Sequence, residues 1–231
     1  LTIYILFAEM FFAQYAFLAA FSMYILGIIV AIVITAILHL IDKKKEVNYL
    51  LIELPEYKLP DAHTVGIYVW EKVKDYLVKA GTTIFVATLI IWALLHLGPS
   101  GYVDGTAIEN SFAGYIGKFL SPAFAPVGLG FWQIVVALIA GISAKEVVVS
   151  SCAVILGAAQ GSDAFMTALA GIGFGSLNAI CLMVFCLLYI PCVATLATIR
   201  KESKSWKWTI FTAVFQLVVA WVITLIVYQI G

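Results

Sequence analysis

The residues of this sequence that could do chemistry lie inside its most apolar stretches. Pro191 and Cys192 interrupt the run CLLYIPCVATLATIR. Proline at 191 has no N–H to donate to the Leu187 carbonyl, which is left free beside a thiol. A free carbonyl and a soft thiolate suit a late first-row divalent metal better than Na⁺, Mg²⁺ or Ca²⁺. The plain alternative is a proline kink in which the cysteine serves as a small hydrophobe. A second interruption is GISAKEVVVSS, where Lys145 and Glu146 stand in an apolar segment. Each charge costs about 2.5 to 3.5 kcal/mol at the bilayer centre. Gly141 and Ser143 weaken the helix just ahead of them. Ser143, Glu146 and Ser150 are three and four apart, a spacing that puts their oxygens on one helical face. This reads as a cation-coordinating patch at a helix break near the membrane midplane, or as a Lys145–Glu146 pair snorkelling to an interface.

Further candidates follow from helical spacing. Asn178 and Cys181 fall within about 40° of the Cys192 face, and Cys186 points away. Cys181 and Cys192 are roughly 16 Å apart along a helix, too far to share one ion or a disulfide. Asn178, Cys181 and Thr195 are therefore expected to mark successive points of one path. Cys152 and Cys186 read as packing. His39, His63 and His96 lie at the ends of apolar runs without a second metal-type ligand nearby, and read as interface or loop histidines. Glu9, with Gln14 five residues on, carries no assignment. The Gly171, Gly173, Gly175 cluster lacks the Lys-Ser or Lys-Thr of a phosphate loop.

The elements that must position these groups are membrane helices. Of 231 residues 64% are hydrophobic and 11% charged, against roughly 25% charged in soluble domains. With 13 basic and 13 acidic residues the net charge is zero, which argues against nucleic acid as a partner. Four cysteines in apolar surroundings do not form a disulfide framework. Charge-free runs at 15–41, 80–97, 175–199 and 208–230 approach or exceed the roughly 20 residues needed to span a bilayer. A fifth, 131–156, carries Lys145 and Glu146.

The 42–79 connection holds Lys43, Lys44, Lys45, Lys58, Lys72, Lys74 and Lys79 and is expected on the cytoplasmic side. Within it Val65, Val69, Val73, Tyr76 and Leu77 form one stripe opposite Glu71, Lys74 and Asp75, the pattern of a helix lying on the membrane surface. The 98–130 connection, with Lys118 alone, is expected on the other side. There Ile108, Phe112, Tyr115, Ile116, Phe119 and Leu120 share a face that Pro122 and Pro126 should end, giving a second interfacial helix. A basic loop of Arg200, Lys201, Lys204 and Lys207 also asks to be cytoplasmic. The number of crossings then has the right parity if 131–156 is re-entrant, or if it pairs with a short pass through 157–174. Re-entry is the favoured reading, and non-helical backbone at that depth implies a protein-lined cavity. The fold class is all-α: a polytopic transmembrane domain with broken or re-entrant helices and interfacial amphipathic helices. Residues 1–12 do not read as a signal peptide and are expected to end a helix begun upstream in a longer chain.

Three segments resemble a known family: AKEVVVSS at 144–151, LLYIPCVATLATIRKESKSWKW at 187–208, and ELPEYKLP at 53–60 followed by WEKVKDYLVKAGT at 70–82. Together they are similar to the membrane domain of FeoB, the bacterial ferrous iron transporters. The resemblance divides the chain into 1–41, the end of a first Gate segment and a transmembrane helix; 42–79, the basic connection; and 80–231, helices with the second Gate segment. It implies passage of Fe²⁺ across the bacterial inner membrane, with Cys192 as the second-Gate cysteine and Glu146 in its companion motif. Fe²⁺ is then a substrate and no cofactor is held permanently. GTP and Mg²⁺ belong to a preceding GTP-binding domain, so no enzyme activity is expected of these residues. The implied partners are the lipid bilayer, that GTP-binding domain, small Feo accessory proteins and a homo-oligomer. Two other classes stay open: a Gate-fold transporter of an organic solute such as a nucleoside, and a noncatalytic membrane scaffold.

Overall fold

The computed structural model describes residues 2–41, 61–79, 81–82, 85–99, 101–103 and 108–231. Eleven helices account for most of them: α1 (Thr2–Phe11), α2 (Ala16–Ile41), α3 (Ala62–Lys79), α4 (Phe85–His96), α5 (Phe112–Phe124), α6 (Trp132–Ala140), α7 (Val147–Ile155), α8 (Asp163–Gly171), α9 (Ser176–Leu188), α10 (Val193–Ser203) and α11 (Trp206–Ile230). A two-residue antiparallel ladder, Leu97–Gly98 with Gly101–Tyr102, follows α4. The first part of the expected basic connection, 42–60, with Lys43, Lys44, Lys45 and Lys58, lies outside the described residues.

Among the described residues three stretches are long and apolar enough to cross a membrane: Ala13–Leu40, Ser176–Ser203 and Trp206–Ile230. Only 11% of the most apolar window of the first and of the last is buried inside protein, so their side chains need lipid around them. For Ser176–Ser203 the share is 44%, which puts that broken span at the centre. The α9 residues Cys181, Leu182, Met183, Val184, Phe185 and Cys186 are all buried, and α11, α1 and α2 pack around them. Phe174 sits beside them, its ring 5.8 to 6.3 Å from those of Phe131, Phe11 and Phe7.

In the 80–97 run the described helix is Phe85–His96, followed by the short ladder at Leu97, and residues 80, 83 and 84 lie outside the described residues. The 131–156 run is two nine-residue helices, α6 and α7, neither long enough to cross alone. They pack on one another, and Trp132 at the start of α6 and Ile155 at the end of α7 meet in one small cluster with Val136. The pair is a hairpin, the shape that re-entry requires.

Helix α5 departs from expectation in one way: Pro122 lies inside the helix rather than ending it. The apolar face points away from the protein, as on a helix that faces lipid: Phe112, Tyr115, Ile116 and Phe119 are exposed, and the buried side is Ala113, Gly114 and Gly117. The helix meets α6 at a bend of 103°. In a bilayer large apolar residues gain little by leaving lipid, and small ones let backbones approach. Asp61 stands just ahead of helix α3, and its carboxylate accepts from the Thr64 N–H at 3.1 Å and the Thr64 hydroxyl at 2.9 Å. Those two bonds hold the Asp61 carboxyl below its ordinary range. Val65, Val69, Val73, Tyr76 and Leu77 of α3 are exposed.

Candidate functional site

The central span breaks because its sequence offers no way to continue. Pro191 lacks a donor, and the residue before a proline is pushed out of the helical region. That residue is Ile190, and the backbone has left the helix one residue earlier still: Tyr189 is extended (φ −70°, ψ 177°), and Cys192 enters α10 at φ −58°, ψ 156°. Helix α9 therefore ends at Leu188 with carbonyls that no N–H of its own satisfies.

The turn between α6 and α7 meets this break. The Lys145 ammonium donates to the Cys186 carbonyl at 2.9 Å and to the Leu187 carbonyl at 3.3 Å, and it lies 5.0 Å from the centre of the Tyr189 ring. The Val193 N–H donates to the Ile142 carbonyl at 3.1 Å. Gly141 is buried there, and a Cβ on it would strike Val148 and lie 2.6 Å from the Tyr189 hydroxyl. Two interruptions that are 41 or more residues apart in sequence thus form one junction. A cavity of about 310 Å³ opens beside it, lined by Lys145, Leu187, Tyr189, Pro191 and, from α2 and α11, Gly27 and Gln216.

The candidate residues separate into those at the junction and those elsewhere. The Leu187 carbonyl is at the junction but already accepts a hydrogen bond. Cys192 is half-buried, its sulfur 3.3 Å from the Thr195 hydroxyl, while Cys152, Cys181 and Cys186 are buried. Cys181 packs in the core of α9. Ser143, Glu146 and Ser150 do not share a face, because helix α7 begins only at Val147. Ser143 is buried in the turn and donates to the Ala140 carbonyl at 2.8 Å. Ser150 is exposed on the side of a different cavity, with His96 and Ile108. Glu146 is exposed at the start of α7. It forms no pair with Lys145, since the ion pair found among the described residues is Lys118–Glu109.

Asn178 has a structural task. Its amide oxygen accepts from the Gly175 N–H at 2.9 Å and its amide nitrogen donates to the Gly128 carbonyl at 2.6 Å. Asn178→Ala would orphan both backbone groups, at about 1 to 3 kcal/mol. A lower thermal unfolding midpoint in detergent is the expected outcome, with an unchanged midpoint refuting the assignment.

Lys145 as the cap of α9 and Tyr189 as its aromatic neighbour were not visible in the sequence. The sequence does hold one signal for the first: a helix end with free carbonyls calls for a cation. Glu9 acquires a neighbour too, since it lines a separate cavity of about 790 Å³ with Asp163, Met10 and Met166. Among the described residues no three His, Cys, Asp or Glu side chains group to hold a metal ion.

Residues 77–206, more than half of the chain, match the Gate family, described as nucleoside recognition. The chain belongs to the Gate family. Residues 20–72 match the C terminus of ferrous iron transport protein B. An Fe(2+) transporter FeoB of Staphylococcus aureus (strain MSSA476) is 41% identical over 231 residues, covering 100% of this chain and 34% of the relative. One from Methanocaldococcus jannaschii is 38% identical over 237 residues, with 100% and 35% covered. A fusion of Fe(2+) transport protein A with FeoB from Porphyromonas gingivalis is 30% identical over 275 residues, with 100% and 32% covered. The chain spans about a third of the length of these curated relatives and corresponds to the C-terminal membrane part of FeoB. No solved structure matches it. The α6–α7 turn and the Pro191 break both fall within the Gate segment.

Proposed function

We propose that this chain forms the membrane-spanning part of a bacterial inner-membrane Fe²⁺ transporter and that the ion passes the junction of the two broken elements. The observation that carries this is the meeting of the Gly141–Glu146 turn with the Tyr189–Cys192 break beside a cavity, with Cys192 the least buried of the four cysteines. An ion crossing there exchanges water for protein ligands. Cys192 supplies a soft thiolate and the Leu187 carbonyl a hard oxygen, with Glu146 and Thr195 as further oxygens along the way. Binding must stay weak enough for release.

In the complete protein, movement of the broken helix is driven by a GTP-binding domain acting through the 42–79 connection. Small Feo proteins and further copies of the transporter are its partners. One relative is itself joined to Fe(2+) transport protein A. The role of these 231 residues is transport rather than catalysis.

The test is Cys192→Ser in the full-length protein, measured as anaerobic Fe²⁺ uptake by cells that lack another ferrous transporter. Uptake should fall about tenfold, which corresponds to losing about 1.4 kcal/mol of ligand interaction. Cys152→Ser, at a buried position, should alter protein yield but leave the preference for Fe²⁺ over Mg²⁺ intact. Uptake and selectivity unchanged in Cys192→Ser would remove the cysteine from the path.

A further inference from the structure

The end of α9 is built as a cation site, and a side chain of the protein fills it. Two carbonyl oxygens, Cys186 and Leu187, converge on the Lys145 ammonium at 2.9 and 3.3 Å. The Tyr189 ring, 3% exposed, presents its face to the same charge at 5.0 Å. Both kinds of group recognise positive charge, the carbonyls as the negative end of the helix and the ring through its quadrupole. The site opens on the cavity of about 310 Å³ that holds Pro191 and Gln216, so its occupant can leave without unfolding the core. Glu146, next in sequence, does not anchor the ammonium, because no Lys145–Glu146 ion pair forms.

We propose that the Cys186 and Leu187 carbonyls and the Tyr189 ring form a cation-binding site that Lys145 plugs in the closed state and vacates when a divalent cation passes. The proposal rests on the transport reading above and adds a named device to it. A divalent ion within about 4 Å of an ammonium is strongly repelled, so plug and cargo cannot share the site. Entering cargo and departing lysine are then one exchange, in which the carbonyls always have a cation. This also explains how a lysine is retained in an apolar span. Water need not solvate it while it is held, and the carbonyls need no other donor.

The experiment uses the full-length transporter in liposomes, with anaerobic Fe²⁺ influx measured with and without GTP. Lys145→Gln keeps a hydrogen-bond donor for the helix end but removes the charge. Influx without GTP should rise about tenfold, the shift expected from losing one charged hydrogen bond that favours the closed state. Lys145→Arg should stay closed. Lys145→Ala should leak, and millimolar n-propylammonium should suppress that leak by refilling the site. A lysine that merely staples the helix would be replaced by Gln without a leak, and would show no rescue by a soluble ammonium. GTP-dependent influx in the parent, together with GTP-independent influx in Lys145→Gln no higher than the parent's, would overturn the plug and leave the transport reading standing. No Fe²⁺ influx in the parent with GTP would overturn the transport reading itself, and the plug with it. Should Lys145→Gln fail to fold, Tyr189→Leu keeps Lys145 and both carbonyls and removes the ring face, together with its hydroxyl. It should leak in the same direction to a smaller degree, and no leak in that variant also overturns the proposal.

Discussion

Gly141→Ala is expected to lower the thermal unfolding midpoint of the detergent-solubilised protein by roughly 5 °C, and Gly141→Leu to prevent the two broken elements from meeting. The new Cβ would strike Val148 and come within 2.6 Å of the Tyr189 hydroxyl, with the Ala137 carbonyl behind it at 3.3 Å. Neither side chain can give way easily, since Val148 is 0% and Tyr189 3% exposed. Overpacking of this kind costs about 1 to 3 kcal/mol, and each kcal/mol moves the midpoint of a chain this size by about 2 to 4 °C. The functional effect follows from the same contact. Moving Tyr189 takes the ring away from Lys145, so Gly141→Ala should also raise GTP-independent Fe²⁺ influx in the full-length protein. Gly66→Ala makes a fair comparison, because nothing lies within 4 Å of a Cβ at that α3 position and alanine is the better helix former. It should leave both measurements near those of the parent. An unshifted midpoint in Gly141→Ala would mean that the junction is not close-packed.

What could be read in the sequence divides by the range of the rule used. The long spans at α2 and α11 were legible because lipid imposes a length and a composition on single helices. So was the interruption at Pro191, because a missing N–H acts on its own helix. Parity of charged loops asked that 131–156 not cross alone, a rule that spans the whole chain but specifies no contacts; the packing of α6 on α7 is such a contact. The site itself needed contacts between segments. Lys145 caps carbonyls 41 and 42 residues away, and no periodicity reports that. The expected face of Ser143, Glu146 and Ser150 failed for a local reason: i, i+3, i+4 geometry holds within a helix, and Ser143 precedes the first residue of α7. Asn178 lies on a helix as expected, and helical spacing gave no sign that its amide would bond Gly175 and Gly128. Angular position likewise gave no sign that Cys181 would be buried, because α9 is surrounded.

The inversion of α5 leads to a prediction of opposite sign from that for a soluble protein. Its apolar stripe would be the packing face of a water-soluble helix, yet Phe119 is 82% exposed and Gly117 is buried. A Cβ at Gly117 would lie 2.6 Å from a methyl of Val136 and 3.0 Å from the Trp132 carbonyl. Val136 is fully buried in α6 and the carbonyl is backbone, so the helices must part instead. Gly117→Val adds two more methyl groups to that clash and, as a β-branched residue, loses helix propensity as well. It is expected to destabilise the protein by about 3 kcal/mol, a fall of roughly 6 to 12 °C in the unfolding midpoint. Phe119→Ala removes a far larger side chain but only from contact with lipid, where the transfer term that penalises such deletions in water is nearly absent. Its midpoint in lipid nanodiscs should stay within about 2 °C of the parent. If Phe119→Ala proved the more damaging of the two, α5 would have to pack through its apolar stripe, and the small-residue contact with α6 would not be the one that holds the hairpin in place.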